Sequence, residues 1–262
     1  MLLAFDIGNT NILIGLFDGE NLRNSWRLST DTNKSADEYG MIISQLFKHE
    51  GISFDEVDDI IISTVVPSML FTLQHTALKY FGKTALVVEA GIKTGLSIKY
   101  DNPQQVGADR IVNAVAAFDK YGGPLVLVDF GTATTFCAVT EHGEYLGGTI
   151  APGIKISSEA LSERTSKLPS VEIEDPGRTI CKTTQESVQA GLVYSQMGLC
   201  DFIVSKMKKE LAALCKKDES EIKVVATGGF AELVNQGLNI IDHIEKNLTL
   251  EGLALIYKKN RK

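Results

Sequence analysis

Histidine and cysteine are scarce in this chain, four of each in 262 residues. His49, His75, His142 and His243 have no ligand spacing, and Cys137, Cys181, Cys200 and Cys215 lie far apart without a CxxC pair. A structural zinc site and a disulfide scaffold are therefore not expected, and the cysteines read as buried or half-exposed thiols. There is no run of five or more Lys or Arg, and 33 acidic side chains against 26 basic ones leave a formal charge of -7. Neither nucleic acid nor an anionic membrane is expected as the main partner. The uncharged stretch Ile60 to Leu78 is broken by Ser63, Thr64, Pro67, Ser68, Thr72, Gln74, His75 and Thr76, so it cannot cross a bilayer. Asp6 interrupts the first apolar run almost at once, which argues against a signal peptide, and a cytoplasmic location is expected. Aromatic residues make up only 7%, but 44% hydrophobic residues suffice for one large core or two smaller ones.

The first half reads as three strands, a helix, a strand, a helix and a strand. Leu2 to Phe5 is a short apolar run, and Asn11 to Phe17 and Leu22 to Leu28 flank Asp18-Gly19, a hairpin signal. Ser35 with Glu38 forms a capping box for a helix that Gly51 ends. Ile60 to Val65 is a buried strand, Pro67 opens a helix that Gly82 stops, and Thr84 to Val88 is a further strand.

The second half begins the same way. Leu125 to Asp129 is an apolar strand, Thr134 to Thr140 a second, and Tyr145 to Ile150 a third after a turn at His142-Gly143. Setting Asp6-Ile7-Gly8-Asn9 on Asp129-Phe130-Gly131-Thr132 aligns the two hairpins to within one residue, which points to an internal duplication. A helix near Ile154 to Ser162, a polar loop from Arg164 to Lys182 and a long helix from Thr184 to about Lys216 follow. Then come a strand Lys223 to Ala226, the turn Thr227-Gly228-Gly229 and another helix. Asp119 to Pro124 is the only linker candidate, dividing the chain into domains 1–118 and 119–262.

Two familiar phosphate loops, GxxxxGK[ST] and a helix-opening GxGxxG, are absent. In their place Asp6-Ile7-Gly8-Asn9-Thr10-Asn11 stands at a strand end. Small residues there let backbone N–H groups approach phosphate oxygens, while an Asp can hold a metal or its waters. Asp129-Phe130-Gly131-Thr132-Ala133-Thr134-Thr135 repeats that chemistry. Either segment alone would pass for a β-turn with Gly, Asn and Thr in their usual places. Two copies, each opening one half, are harder to explain as turns.

A βββαβαβ unit occurring twice, with an Asp-x-Gly hairpin in each half, resembles the acetate and sugar kinase, Hsp70 and actin superfamily. Within it DIGNTN at 6–11, GADR at 107–110, DFGTATTF at 129–136, GGTIAPG at 147–153 and TGG at 227–229 are similar to type III pantothenate kinase. The resemblance implies an α/β fold of two duplicated ribonuclease H-like domains, an actin-like ATPase fold with a central nucleotide cleft. It implies phosphorylation of pantothenate by ATP with Mg2+, the first step of coenzyme A biosynthesis, by a homodimer that uses K+ or NH4+. On the family pattern Asp6, Ile7, Gly8, Asn9, Thr10, Asn11, Ile12, Leu13 and Thr132 would hold ATP. Asp129 would bind the monovalent cation. Tyr100, Gly107, Ala108, Asp109, Arg110 and Thr184 would surround pantothenate, with Asp109 as proton acceptor.

Plainer roles stand beside these. Gly107 to Arg110 opens an apolar-periodic helix, where an Asp also caps orphan N–H groups. The helix field suits the substrate carboxylate and is expected to depress the pKa of Asp109, making it an orienter first and a late proton acceptor second. Thr183 with Glu186 makes a capping box that leaves Thr184 as the first helical residue. Tyr100 also reads as a packing aromatic and Arg110 as an ion-pair partner. The long helix carries an apolar stripe, Val188, Leu192, Leu199, Phe202, Ile203, Leu211 and Leu214, that core packing or a dimer would use. Two other functions remain open: a sugar or acetate kinase of the same superfamily, and a nucleotide-binding regulator without turnover.

Overall fold

The computed structural model describes residues 1–261. The chain forms two compact units. The first comprises Met1–Gly95, Asn102–Ala116 and the C-terminal segment from Leu248, and the second Leu96–Asp101 and Ala117–Asn247.

In the first unit β1 (Leu2–Ile7), β2 (Asn11–Asp18), β3 (Asn21–Ser29), β4 (Asp59–Thr64) and β5 (Leu86–Val87) form a sheet of order β3-β2-β1-β4-β5. Only β1 lies parallel to β4 and β4 to β5; the two N-terminal hairpin pairs are antiparallel. Helix α1 (Ala36–His49) starts at the expected capping box, with Ser35 and Glu38 each accepting from the other's backbone N–H. Helix α2 (Pro67–Phe81) has Pro at its start and ends at Gly82, which takes the left-handed conformation that an L side chain would resist. Alternate strand residues Leu3, Phe5, Ile7, Ile12, Ile14, Ile60 and Ile62 pack with Tyr39, Ile43, Phe47, Leu73 and Phe81 of these helices in one core. The strand expected from Thr84 to Val88 shrinks to Leu86–Val87, an edge that pairs with β4 at only two positions.

The second unit repeats the plan. Here β6 (Ser97–Ile98), β7 (Leu125–Phe130), β8 (Ala133–Val139), β9 (Glu144–Pro152), β10 (Lys223–Thr227) and β11 (His243–Ile244) form a sheet of order β11-β10-β7-β8-β9-β6. Read from β9 to β11, this is the first sheet again, with β6 added at one edge. Asp6 pairs with Leu13 and Asp129 with Thr135, so the second hairpin is one residue shorter, as the sequence alignment anticipates. Both duplicates carry an irregularity in the following strand pair, at Leu16/Phe17 and at Ala138/Val139. Helix α3 (Ala108–Tyr121) falls across the unit boundary, while α4 (Ile154–Arg164), the 32-residue α5 (Thr184–Cys215) and the short α6 (Ala231–Asn235) belong to the second unit. Val188, Leu192, Val193, Val204 and Leu211 of α5 bury against Val126, Val128 and Phe136. These are two ribonuclease H-like sheets in an actin-like α/β chain.

The units differ from the contiguous halves 1–118 and 119–262. Helix α7 (Leu248–Asn260) joins the first unit, because Leu248, Leu250, Leu253 and Ile256 bury completely or nearly so there. It crosses α3 so closely that a Cβ on Gly252 would lie 2.2 Å from the Val112 carbonyl oxygen. Residues 96–101 pass to the second unit because β6 pairs with the β9 edge, Ser97 opposite Glu144. The linker expected at Asp119 to Pro124 begins inside α3. Cys137 and Cys200 are buried and Cys181 and Cys215 half-buried. Among the described residues no helix is long and apolar enough to cross a membrane, and no cluster of three or more His, Cys, Asp or Glu suits a metal ion.

Candidate active site

In the first unit two predicted segments meet at the C-terminal ends of β1 and β4. Gly8 donates to the Asn11 carbonyl (2.9 Å), closing the turn that carries Asn9 and Thr10. Thr30 braces the turn from β3's far end: its hydroxyl donates to the Gly8 carbonyl (2.7 Å) and its N–H to the Thr10 carbonyl (2.9 Å). The Gly8 N–H is thus engaged within the turn, so the contribution of this glycine is its shape. A Cβ there would crowd the Asn11 carbonyl at 3.2 Å. Ile7 and Ile12 face each other across the hairpin with side chains wholly in the core, so their side chains have no part at the turn surface. Asp6, Thr10, Asn11 and Leu13 are half-buried, and Asn9 is exposed at the tip.

The Val65 N–H donates to the Ile7 carbonyl (3.1 Å), and its side chain lies 3.7 Å from where a Gly107 Cβ would stand. This brings the GADR segment to the same strand ends. Ala108 begins α3, and a Cβ on Gly107 would fall 2.4 Å from the Asp109 carboxylate, so glycine leaves that carboxylate its place. Asp109 accepts the Arg110 N–H (2.8 Å). Its pKa is not depressed as expected. Burial, the largest influence, raises it above the ordinary 3.8, although the Arg110 N–H bond and guanidinium pull the other way. Desolvation of a carboxylate outweighs the helix field here. Arg110 itself is buried, with 7% of its surface exposed.

The second unit builds a matching loop cluster. The Asp129 carboxylate stands at the end of β7 between two glycines: a Cβ on Gly228 would lie 2.6 Å from Asp129 Oδ1 and 2.6 Å from the Phe130 carbonyl oxygen, and one on Gly131 3.5 Å from the carboxylate. Gly228 also has φ +98°. Carboxylate and carbonyl oxygens sharing a cradle that a Cβ would fill form a hard-cation donor set. Gly153 caps α4 at the same place, where a Cβ would meet the Thr132 carbonyl at 2.3 Å. Gln196 of α5 fastens this corner, accepting from the Thr134 hydroxyl (2.9 Å) and donating to the Pro152 carbonyl (3.0 Å). Tyr100 lies over Gly147, whose Cβ would come within 2.9 Å of the ring. Thr184 is exposed as the first residue of α5, after Thr183, whose hydroxyl accepts the Glu186 N–H (3.2 Å). The Glu186 carboxylate is engaged by Arg178.

Asp6 to Leu13 and Gly107 to Arg110 thus share the first unit, while Tyr100, Asp129, Thr132 and Thr184 belong to the second. Thr30, Gly153 and Gln196 are working parts that the sequence alone does not mark. Gly153 lies inside the GGTIAPG motif, but only its close approach to Thr132 shows its purpose, and Thr30 and Gln196 act across distances of 20 and more residues with no local signal.

Solved structures share this architecture. A Campylobacter jejuni protein described as a Baf-family transcriptional activator superposes with a TM-score of 0.60 at 19% identity, over 98% of both chains. A Sinorhizobium meliloti protein described as a 2-dehydro-3-deoxygalactonokinase gives 0.57 at 11%, again over 98% of both. Such low identities establish the fold and nothing finer. The sequence itself carries more: residues 2–206, which include both Asp-x-Gly turns, the GADR helix start and Thr184, match the family description type III pantothenate kinase. With most of its length in that match, the chain belongs to the type III pantothenate kinase family.

Proposed function

We propose that this phosphotransferase moves the γ-phosphoryl group of ATP to the primary hydroxyl of pantothenate. The observation that carries the reading is Asp109: a carboxylate at a helix N-terminus, on a segment that Val65 ties to the end of β1 in the same unit, with burial raising its pKa. An acceptor-side base of that kind suits a kinase and has no purpose in a nucleotide sensor.

The chain's residues divide the work. The Asp6 to Leu13 turn holds the ATP phosphates, and Asp6 would hold the Mg2+ or its waters. Magnesium offsets phosphate charge, and it keeps several waters, so one carboxylate beside the phosphates is an adequate protein share. Asp129 and the Phe130 carbonyl hold K+ or NH4+, for which one carboxylate with neutral oxygens is a fitting set. The α3 N-terminus and Arg110 take the pantothenate carboxylate, and Asp109 accepts a hydrogen bond from the reacting hydroxyl. As that oxygen bonds to the γ-phosphorus and the bond to ADP breaks, the proton passes to Asp109. Positioning dominates early in a loose transition state, and the raised pKa makes Asp109 a better late acceptor than an ordinary Asp.

The dimer proposed for this chain uses the exposed side of α5. Val188, Leu192 and Leu211 of its stripe are core, but Phe202 and Leu214 are 65% and 68% exposed beside a groove of about 520 Å³ along β9. Sedimentation of Leu214→Glu against the parent tests it.

A coupled ADP assay with pantothenate, a sugar panel and acetate, each with and without potassium, decides the substrate. ADP formation strictly dependent on pantothenate supports the reading. Turnover with a sugar or acetate alone replaces it with another kinase, and nucleotide binding without turnover on any acceptor replaces it with a regulator.

A further inference from the structure

The two Asp-x-Gly hairpins are flanked by equivalent positions that differ in how a hydroxyl is used. Parallel pairing sets Thr227 of β10 opposite Asp129 and Ser63 of β4 opposite Asp6. Both hydroxyl residues are buried, at 4% and 0% exposure. Thr227 is locked, its hydroxyl donating to the Glu245 carbonyl (2.6 Å). The Ser63 hydroxyl, buried just as deeply, has no hydrogen-bond partner among the described residues. Its neighbour Thr64 shows that the strand end is not short of acceptors, since that hydroxyl donates to the Val66 carbonyl (3.1 Å) and accepts its N–H (2.9 Å).

The face on which Ser63 lies decides what it can reach. Leu3, Phe5 and Ile7 of β1 and Ile60 and Ile62 of β4 belong to one core, so Asp6 and Ser63 occupy the opposite face at the same height. Neighbouring strands are about 4.8 Å apart, within reach of a serine rotamer change that brings the hydroxyl onto a carboxylate. A buried hydroxyl without a partner costs stability, so its presence beside the one acid of the turn calls for a use in a liganded state.

We propose that Ser63 is a positioning residue of the nucleotide half-site: with metal-bound ATP in place, its hydroxyl donates to the Asp6 carboxylate and holds it toward the metal. The inference rests on the reading of the Asp6 turn as the ATP-phosphate site. Fixing one carboxylate oxygen by a charge-assisted bond leaves the other for the cation or its waters.

The test separates this from a structural role. Ser63→Ala removes an unsatisfied polar atom, so the unliganded variant should melt at or above the parent temperature. Its affinity for MgATP by titration calorimetry should fall about tenfold or more, the usual effect of losing a hydrogen bond to a charged group. The KM for ATP should rise while the KM for pantothenate stays put, and Ser63→Thr, which mimics the Thr227 position, should restore binding. Unchanged MgATP affinity in Ser63→Ala overturns the proposal, as does a lower melting temperature of the unliganded variant with nucleotide binding intact. A parent protein that binds no MgATP overturns the site reading itself, an outcome visible before any variant is made.

Discussion

Replacing Asp109 by Asn separates its chemical role from its structural one. The amide oxygen can still accept the Arg110 N–H, bonded at 2.8 Å in the parent, and the side chain still fits beside Gly107. What is lost is the charge and the ability to take a proton. General-base losses are about 10²- to 10⁴-fold, equivalent to about 2.7 to 5.4 kcal/mol on the barrier. Turnover should fall by that amount with ATP binding intact. Stability should move the other way. Burial raises the folded-state pKa of Asp109 above 3.8, so the folded protein retains a proton at pH values where the unfolded chain has released it. The stability contributed by this group is therefore greatest below the unfolded value and declines as pH rises through the folded value. At neutral pH the ionised carboxylate is a burden that Asp109→Asn removes, so the variant should unfold at higher temperature than the parent at pH 7 and lose this advantage near pH 3.8. Steady-state kinetics and calorimetry across pH measure both. Near-parental kcat would remove Asp109 from the chemistry, and a variant less stable than the parent at pH 7 would show that burial does not dominate its electrostatics.

Asp129→Ala should weaken ATP use and blunt the response to potassium, because the carboxylate of the Gly131–Gly228 cradle is lost; full potassium activation in the variant would place the cation elsewhere. Gly228→Ala puts a methyl 2.6 Å from Asp129 Oδ1 at a φ of +98°, so it should raise the KM for ATP several-fold and lower the melting temperature, both readable from one preparation. Arg110→Lys keeps the charge but loses the planar fork, and should raise the KM for pantothenate about ten- to hundredfold while sparing that for ATP. Pantothenol, with an alcohol in place of the carboxylate, is the control: the parent should discriminate against it and the variant should not, and equal discrimination would assign the carboxylate to another group.

Local chemistry was legible from the chain. The Ser35–Glu38 capping box, Pro67 opening α2 and Gly82 ending it, and both hairpins with their one-residue offset involve neighbours in sequence, where propensity and turn stereochemistry act without help from the fold. The order of motifs that points to the family is likewise read along the chain, although the motifs themselves lie far apart in it. Tertiary structure alone decided what depends on burial and long-range contact. Helix α7 follows the second half in sequence yet packs with the first unit, because its leucines meet an apolar sheet face there and Gly252 admits the close crossing with Val112. The two-residue strands β6 and β11 have too little pattern of their own and exist through the edges they join. The sign of the Asp109 pKa shift is the clearest instance. Helix position can be read from the sequence and predicts a lower value, whereas desolvation depends on every neighbour that excludes water, and it prevails.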